Sequence, residues 1–284
     1  MTTVPTQIKP SVVAAVGTQM GAQAPVPKGL RVGNTNDEAP QFFHGCIYAG
    51  TGEYKTTTAA QFGSPEEVRI VLTRRKEQLI PLKGLGYKYA EVSDAASLKY
   101  ALLYPERLWP EWSPLPNRTL VLDDATEAVA MLLDDNSVID GREVKDVRRT
   151  YSSAGNDLRV LVSPTLRKPM HFVMTALAKV RENPLTNEER IGPDLPPSML
   201  NFMLTEMEFV LYVDYKTKTL LTDKKVFSFD DTDEKGYKKT YVREIFAKHK
   251  LPRSLVGKGI LKPQEPLDLR AIWNKVLEAK VSSS

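Results

Sequence analysis

Five short apolar, β-prone runs frame this chain: Gln41–Tyr48, Glu67–Thr73, Thr119–Leu122, His171–Thr175 and Met207–Val213. Their apolar residues run on rather than alternate with polar ones, the pattern of strands covered on both faces. Helical spacing appears between them at Thr57–Phe62, Ala95–Leu103 and Thr126–Leu133. Buried strands alternating with helices predict an α/β fold, a mostly parallel central sheet with helices on both faces. Ligands of such sheets bind beyond the carboxyl ends of the strands. The residues that end each run are therefore the ones to read for chemistry.

The connections are less regular. Pro and Trp dominate Pro105–Pro116, which predicts a loop. Gly141–Leu161 is charged and amphipathic, a helix with an interruption expected at Ser152–Gly155. Asn183–Pro197, rich in Pro, Glu and Asn, predicts another loop, and Lys216–Leu221 leads into a hairpin ending near Phe229. From Tyr237 to Lys280 two short helices are expected about a Pro/Gly-rich linker at Pro252–Pro266. Residues 1–40 carry few large apolar side chains and much Pro, Thr, Ala, Gly and Gln. Such a segment buries too little surface to offset its ordering entropy and predicts a flexible arm, or one that packs on a neighbouring subunit. The expected division is thus an arm over 1–40, a core over 41–229 and a basic extension over 230–284.

Composition narrows the setting. A single cysteine, Cys46, excludes an intramolecular disulfide framework and fits a reducing compartment. No apolar run approaches the roughly 18–20 residues that cross a bilayer, and the Ser11–Val16 run is too short for a secretory signal. A soluble, cytoplasmic protein without a membrane partner is expected. Charge is uneven: Lys216–Lys280 holds sixteen Lys/Arg against nine Asp/Glu, a surplus of seven in a chain whose net charge is +4. A basic tail suits a polyanion such as nucleic acid, although solvated lysines on a surface give the same count.

The first run ends in Ala49-Gly50-Thr51-Gly52-Glu53-Tyr54-Lys55-Thr56-Thr57. A phosphate loop needs a strand, a turn with inward amides, and a Lys-Thr pair opening a helix. Lys55 would neutralise phosphate, the Thr56 hydroxyl would hold magnesium, and Gly50, Thr51, Gly52, Glu53, Tyr54 and Thr57 would supply the cradle. The pattern G-x-x-x-x-G-K-[ST] is broken at both glycines, by Ala49 and by Tyr54. A tyrosine before the lysine must swing outward to leave room for phosphates. An ordinary strand-to-helix turn would use the same residue types.

The third run ends in paired carboxylates, Asp123 and Asp124. Asp123 suits a magnesium ligand and Asp124 a base orienting water. Alternatively, Asp124 caps the next helix while Asp123 is solvated. One strand and one helix fit between Lys55 and Asp123, the order expected of a nucleotide-binding domain.

With both motifs in place, the chain resembles RecA-like and AAA-type P-loop NTPases, nearest to nucleotide-binding proteins of tailed phages that act in recombination. The resemblance covers about Phe42 to Val213. It implies ATP and Mg2+ as ligands, and a polar sensor at the end of the next strand, which would be Thr175 with Lys179 in reserve. A threonine capping the following helix is the other reading of Thr175. The resemblance also implies a homo-oligomer in which an arginine reaches a neighbour's nucleotide; Arg148, Arg149, Arg167 and Arg190 are candidates.

Other constellations are weaker. His44, His171 and His249 lack metal-ligand spacing, and no G-x-S-x-G turn appears. Trp109 and Trp112 suit a hydrophobic plug better than a base-stacking platform. Tyr237–Tyr241 interleaves aromatics with lysines, as a nucleic-acid contact or as the start of an amphipathic helix. The expectation is an ATP-hydrolysing P-loop protein of phage-like DNA metabolism. The alternatives are a degenerate, non-hydrolysing relative that binds DNA, or a structural assembly subunit.

Overall fold

The apolar runs become neighbouring strands of one sheet. The computed structural model describes residues 42–51, 54–73, 76–113, 117–139, 142–143, 147–182, 189–220, 238–250, 259–262, 264–266 and 268–281. The arm expected over 1–40 and the hairpin end expected near Phe229 lie outside them. In chain order, β1 (His44–Ala49), α1 (Lys55–Ala60), β2 (Val68–Leu72) and β3 (Lys88–Glu91) come first. Then follow α2 (Ala95–Leu103), α3 (Pro105–Leu108), β4 (Thr119–Asp123) and α4 (Ala125–Ser137). After them come β5 (Val138–Ile139), β6 (Arg142–Glu143), α5 (Val147–Leu166), β7 (His171–Glu182) and β8 (Glu189–Pro193). The described chain ends with α6 (Pro197–Glu206), β9 (Phe209–Leu220), β10 (Lys238–Lys250), β11 (Gln264–Pro266) and α7 (Leu269–Val281).

The sheet runs β11-β10-β9-β1-β7-β4-β2-β3, with β8 paired to β7. The neighbours from β9 to β3 are parallel, while β10, β11 and β8 pair antiparallel. The fold class is therefore the expected one. Alternation along each strand splits the core into two layers. Phe43, Ile47, Val121, Val173, Phe209 and Leu211 face α1 and α7. Cys46, Tyr48, Leu120, Leu122, Phe172 and Met174 face the side covered by α2, α4, α5 and α6. Burial on both sides explains why these strands read as continuous apolar runs.

Four expectations are corrected. Within Pro105–Pro116 the chain forms α3 and a 3₁₀ turn at Pro110–Trp112 instead of a plain loop. Each begins at a proline, which the first helical turn accepts because that N–H has no partner there anyway. The turn drives Trp109 and Trp112 into the core as a plug, with the Arg69 guanidinium 5.6 Å above the Trp112 ring. Second, α5 runs unbroken through Ser152–Gly155. Gly155 is a packing glycine: a Cβ there would stand 2.6 Å from Ser198 Oγ and 2.7 Å from Pro196 Cβ at the start of α6. Third, the strand expected to stop at Thr175 runs on as β7 to Glu182, so Thr175 caps no helix there, and part of the loop expected over Asn183–Pro197 is β8, antiparallel to the long end of β7.

Fourth, the first of the two helices expected in Tyr237–Lys280 is instead β10, and the second is α7. Thr240, Tyr241, Val242, Ile245 and Phe246 are residue types that suit a strand, and β9 runs far enough to pair with them from Leu220 back to Tyr212. Part of the expected basic extension is thereby built into the sheet.

Candidate functional site

The carboxyl ends of β1, β2 and β4 meet beside Thr175 of β7, and the side chains gathered there are oxygen-rich. Beyond Ala49 the chain turns through Gly50 and Thr51; Gly52 and Glu53 lie outside the described residues. Ala49 is fully buried among Ile47, Ala59 and Ala60, so the methyl that replaces a glycine serves the core. Tyr54 enters α1 with φ 60° and ψ 15°, a left-handed conformation that glycine adopts freely and tyrosine does not. The residue is 47% exposed. Lys55 is buried, and its ammonium donates to Gly50 O at 2.5 Å and Ala49 O at 3.3 Å. Thr57 lies in the first turn of α1 and its carbonyl accepts from Gln61 N.

Asp123 is the centre of the arrangement. At 3% exposure its carboxylate accepts the Thr56 hydroxyl on Oδ2 at 2.7 Å and the Thr175 hydroxyl on Oδ1 at 2.6 Å. Two hydroxyl donors offset the desolvation of a buried carboxylate. They also tie together three elements distant in sequence: α1, β4 and β7. Register explains the meeting, since Thr175 pairs with Ile47 of β1 and Leu122 pairs with Met174.

Asp124, 1% exposed, accepts Glu127 N on Oδ1 at 2.8 Å and so caps α4. Thr73, directly after β2, is a residue the sequence reading left inside a strand. Its N–H donates to Asp123 O at 2.9 Å, its hydroxyl accepts Asp124 N at 2.8 Å, and the same hydroxyl donates to Asp124 O at 2.9 Å. A hydroxyl at the end of a strand running beside the carboxylate strand is the signal that could have found it.

Other candidates fall outside this cluster. Lys179 pairs with Asp194 at 3.2 Å. Arg167 is exposed near the end of α5, and the side chains of Arg148, Arg149, Arg190 and His249 lie outside the described ones. His44 and His171 stand at the amino ends of β1 and β7, opposite the cluster. Cys46 is fully buried, and burial with the nearby Asp124 carboxylate pushes its thiol upward, so it is no nucleophile.

The donor set fits magnesium. A hydroxyl and a carboxylate are hard oxygen ligands, and Mg2+ ordinarily takes one or two carboxylates with substrate phosphates and water. Among the described residues no group of three or more His, Cys, Asp or Glu could form a protein cage for a metal. Thr56 and Asp123 would leave most of the shell to phosphate and water.

No family model matches the chain, and no curated protein sequence matches it. Solved structures that match include a KaiC-like protein from the hyperthermophilic archaeon Pyrococcus horikoshii OT3, at 14% identity and TM-score 0.38. The match covers 73% of this chain and 79% of that one. Among the described residues no helix is long and apolar enough to cross a membrane.

Proposed function

We propose that the chain is a P-loop protein that binds ATP with Mg2+ between α1 and the ends of β1 and β4, and hydrolyses it. The observation that carries this reading is the Asp123 carboxylate held by Thr56 from the loop helix and Thr175 from the neighbouring strand. Thr56 can keep its proton on Asp123 while its lone pairs face a cation, so one contact serves both partners. Lys55 would leave the Gly50 and Ala49 carbonyls to neutralise phosphate, a short swing for a flexible side chain. Gly50, Thr51, Gly52, Glu53, Tyr54 and Thr57 would line the cradle. Mg2+, when bound, would offset the charge on the phosphoryl group being transferred. Thr175 would sense the terminal phosphate. A water-orienting role for Asp124 falls to Oδ2, because Oδ1 caps α4.

The finer reading, recombination or replication of the phage type acting on DNA as a homo-oligomer, rests on the sequence resemblance and the basic surplus over Lys216–Lys280. A second reading has its own support. Tyr54 holds a conformation unfavourable for tyrosine and Lys55 is turned onto its own loop, as in a degenerate site that binds nucleotide weakly and hydrolyses none.

ATP binding and turnover, measured against Mg2+ with and without DNA for wild type, Lys55→Ala and Asp123→Ala, separate the two. The first reading expects Mg-dependent turnover, stimulated by DNA and lost in both variants. Binding without turnover favours the second. Binding absent, or indifferent to both substitutions, overturns both.

A further inference from the structure

The carboxylate at the proposed metal site is held by the Thr56 and Thr175 hydroxyls, and the residue that bears it is the last of β4. What fixes that residue is Thr73. The Thr73 N–H extends the ladder between β2 and β4 by one rung, to Asp123 O at 2.9 Å, a bond any residue but proline would make. The hydroxyl adds what backbone cannot. Accepting Asp124 N at 2.8 Å and donating to Asp124 O at 2.9 Å, it meets both main-chain polar groups of the residue just past Asp123, whose carbonyl also accepts Ala128 N of α4 at 3.1 Å. Thr73 is buried, so water replaces this bridge poorly. On its far side Asp124 is held by the Glu127 amide, and the main-chain turn between β4 and α4 is pinned from two directions.

We infer that Thr73 is a positioning residue of the nucleotide site: its hydroxyl bridge to Asp124 sets where the Asp123 carboxylate stands and thereby tunes Mg2+ affinity. Thr73 touches neither metal nor phosphate in this role. It rests on the reading of Asp123 as the magnesium ligand, and deepens it by naming what holds that ligand. Residues that orient a metal ligand from behind typically change metal affinity by about 10–100-fold when removed.

Valine is the discriminating replacement, since it keeps the branched shape and strand preference of threonine and removes only the hydroxyl. Thr73→Val leaves both polar groups of Asp124 without the bridge, whereas Thr73→Ser restores it. Thr165→Val is the control: Thr165 is fully buried and donates to Leu102 O and Leu161 O, remote from Asp123.

Two measurements on the full chain test the inference. The first is the Mg2+ concentration that half-saturates binding of a fluorescent ATP analogue, and the second is hydrogen exchange at the Asp124 amide without nucleotide. Thr73→Val is expected to raise the Mg2+ requirement at least about tenfold and to lose Asp124 protection. Thr73→Ser should stay within about twofold of wild type on both readouts, because it keeps the hydroxyl. Thr165→Val should lose stability while keeping the wild-type Mg2+ requirement. Normal Mg2+ dependence in Thr73→Val beside normal wild-type binding overturns this inference alone, as does an equal shift in Thr165→Val. A wild type that binds no nucleotide at any Mg2+ concentration overturns the reading under Proposed function and this one with it.

Discussion

At the scale of single residues, two side chains carry measurable consequences. Tyr54 occupies a left-handed backbone conformation, in which an L-residue with a Cβ loses roughly 1–2 kcal/mol relative to right-handed backbone. Glycine escapes this penalty but gives some stability back through the freedom it adds to the unfolded chain. Tyr54→Ala removes the ring and keeps the penalty, so the informative comparison is Tyr54→Gly against Tyr54→Ala. The glycine variant should be more stable by about 1 kcal/mol in urea unfolding, and should bind nucleotide at least as tightly as wild type. A glycine variant less stable than the alanine one would place the strain elsewhere.

His171 gives a pH prediction with a definite sign. Its Nδ1 accepts Phe43 N at 2.8 Å, so the neutral ring is the form that the fold uses. Burial, helped by the positive charges of Arg270 and His44, lowers it from 6.5 to about 4. In the unfolded chain the ring takes up its proton near pH 6.5, and the fold refuses that proton until about pH 4. Stability from this residue is therefore complete above pH 6.5 and is lost as pH falls towards 4, up to about 3 kcal/mol. Burial lowers His44 as well, adding the same sign. Unfolding midpoints between pH 7.5 and 4.5 should fall steeply in wild type and less in His171→Gln, which has no ring to protonate.

At the scale of elements, Gly155 shows which parts of the fold a sequence discloses. Taken alone, glycine among serines reads as a helix interruption, because its propensity cost is about 1 kcal/mol against alanine. Its purpose appears only when α6 is present, since the clash a Cβ would make is with Ser198 and Pro196, more than forty residues away. The two effects oppose each other in Gly155→Ala. Helix propensity favours alanine by about 1 kcal/mol, while overpacking costs typically 1–3 kcal/mol. Contact atoms at 2.6 and 2.7 Å, one of them on a rigid proline ring, place the clash at the upper end. A net loss of about 1–2 kcal/mol is expected by thermal or urea unfolding, and a gain would show that α5 and α6 slide apart freely.

The same distinction governs the rest of the fold. Buried parallel strands announce themselves through local composition, as β2, β4 and β7 do, and so do carboxylates or threonines at their ends. What escaped is set by partners: β10 is a strand because β9 is beside it, and the 105–112 segment, expected as a loop bearing a tryptophan plug, is helical while the core receives that plug beneath Arg69. In the site, Asp123 was legible as a carboxylate closing a strand, Thr56 as the hydroxyl after the loop lysine, and Thr175 as the polar residue after an apolar run that the structure continues to Glu182. The Thr73 bridge was not, because a threonine closing an apolar run is ordinary until the neighbouring strand places Asp124 against it.

At the scale of the molecule, α7 changes how the basic end of the chain must be tested. Its Leu269, Ile272, Trp273 and Val276 are buried in the layer that also holds Phe43, Phe62 and Phe209. Trp273, 2% exposed, meets the rings of His171 at 5.8 Å, Phe43 at 6.0 Å and Phe209 at 6.5 Å. Glu265 fastens the segment, accepting Lys262 N on Oε1 at 2.8 Å and pairing with Lys275 through Oε2. A truncation made to remove the positive charge would therefore also strip this cover and the strand paired to β9. Its loss of DNA binding would say nothing about charge. Trp273→Ala isolates the structural contribution: emptying a buried indole site costs about 3–5 kcal/mol, a large share of the 5–15 kcal/mol that holds a typical domain. The variant should unfold at markedly lower urea, while Trp273→Phe should recover much of the loss by refilling the site. Deletion of 259–284 should yield aggregated protein, because it bares the aromatic layer that α7 covers. Soluble, folded material from that deletion would show that α7 is an accessory, and only then would truncation become a fair test of the basic tail.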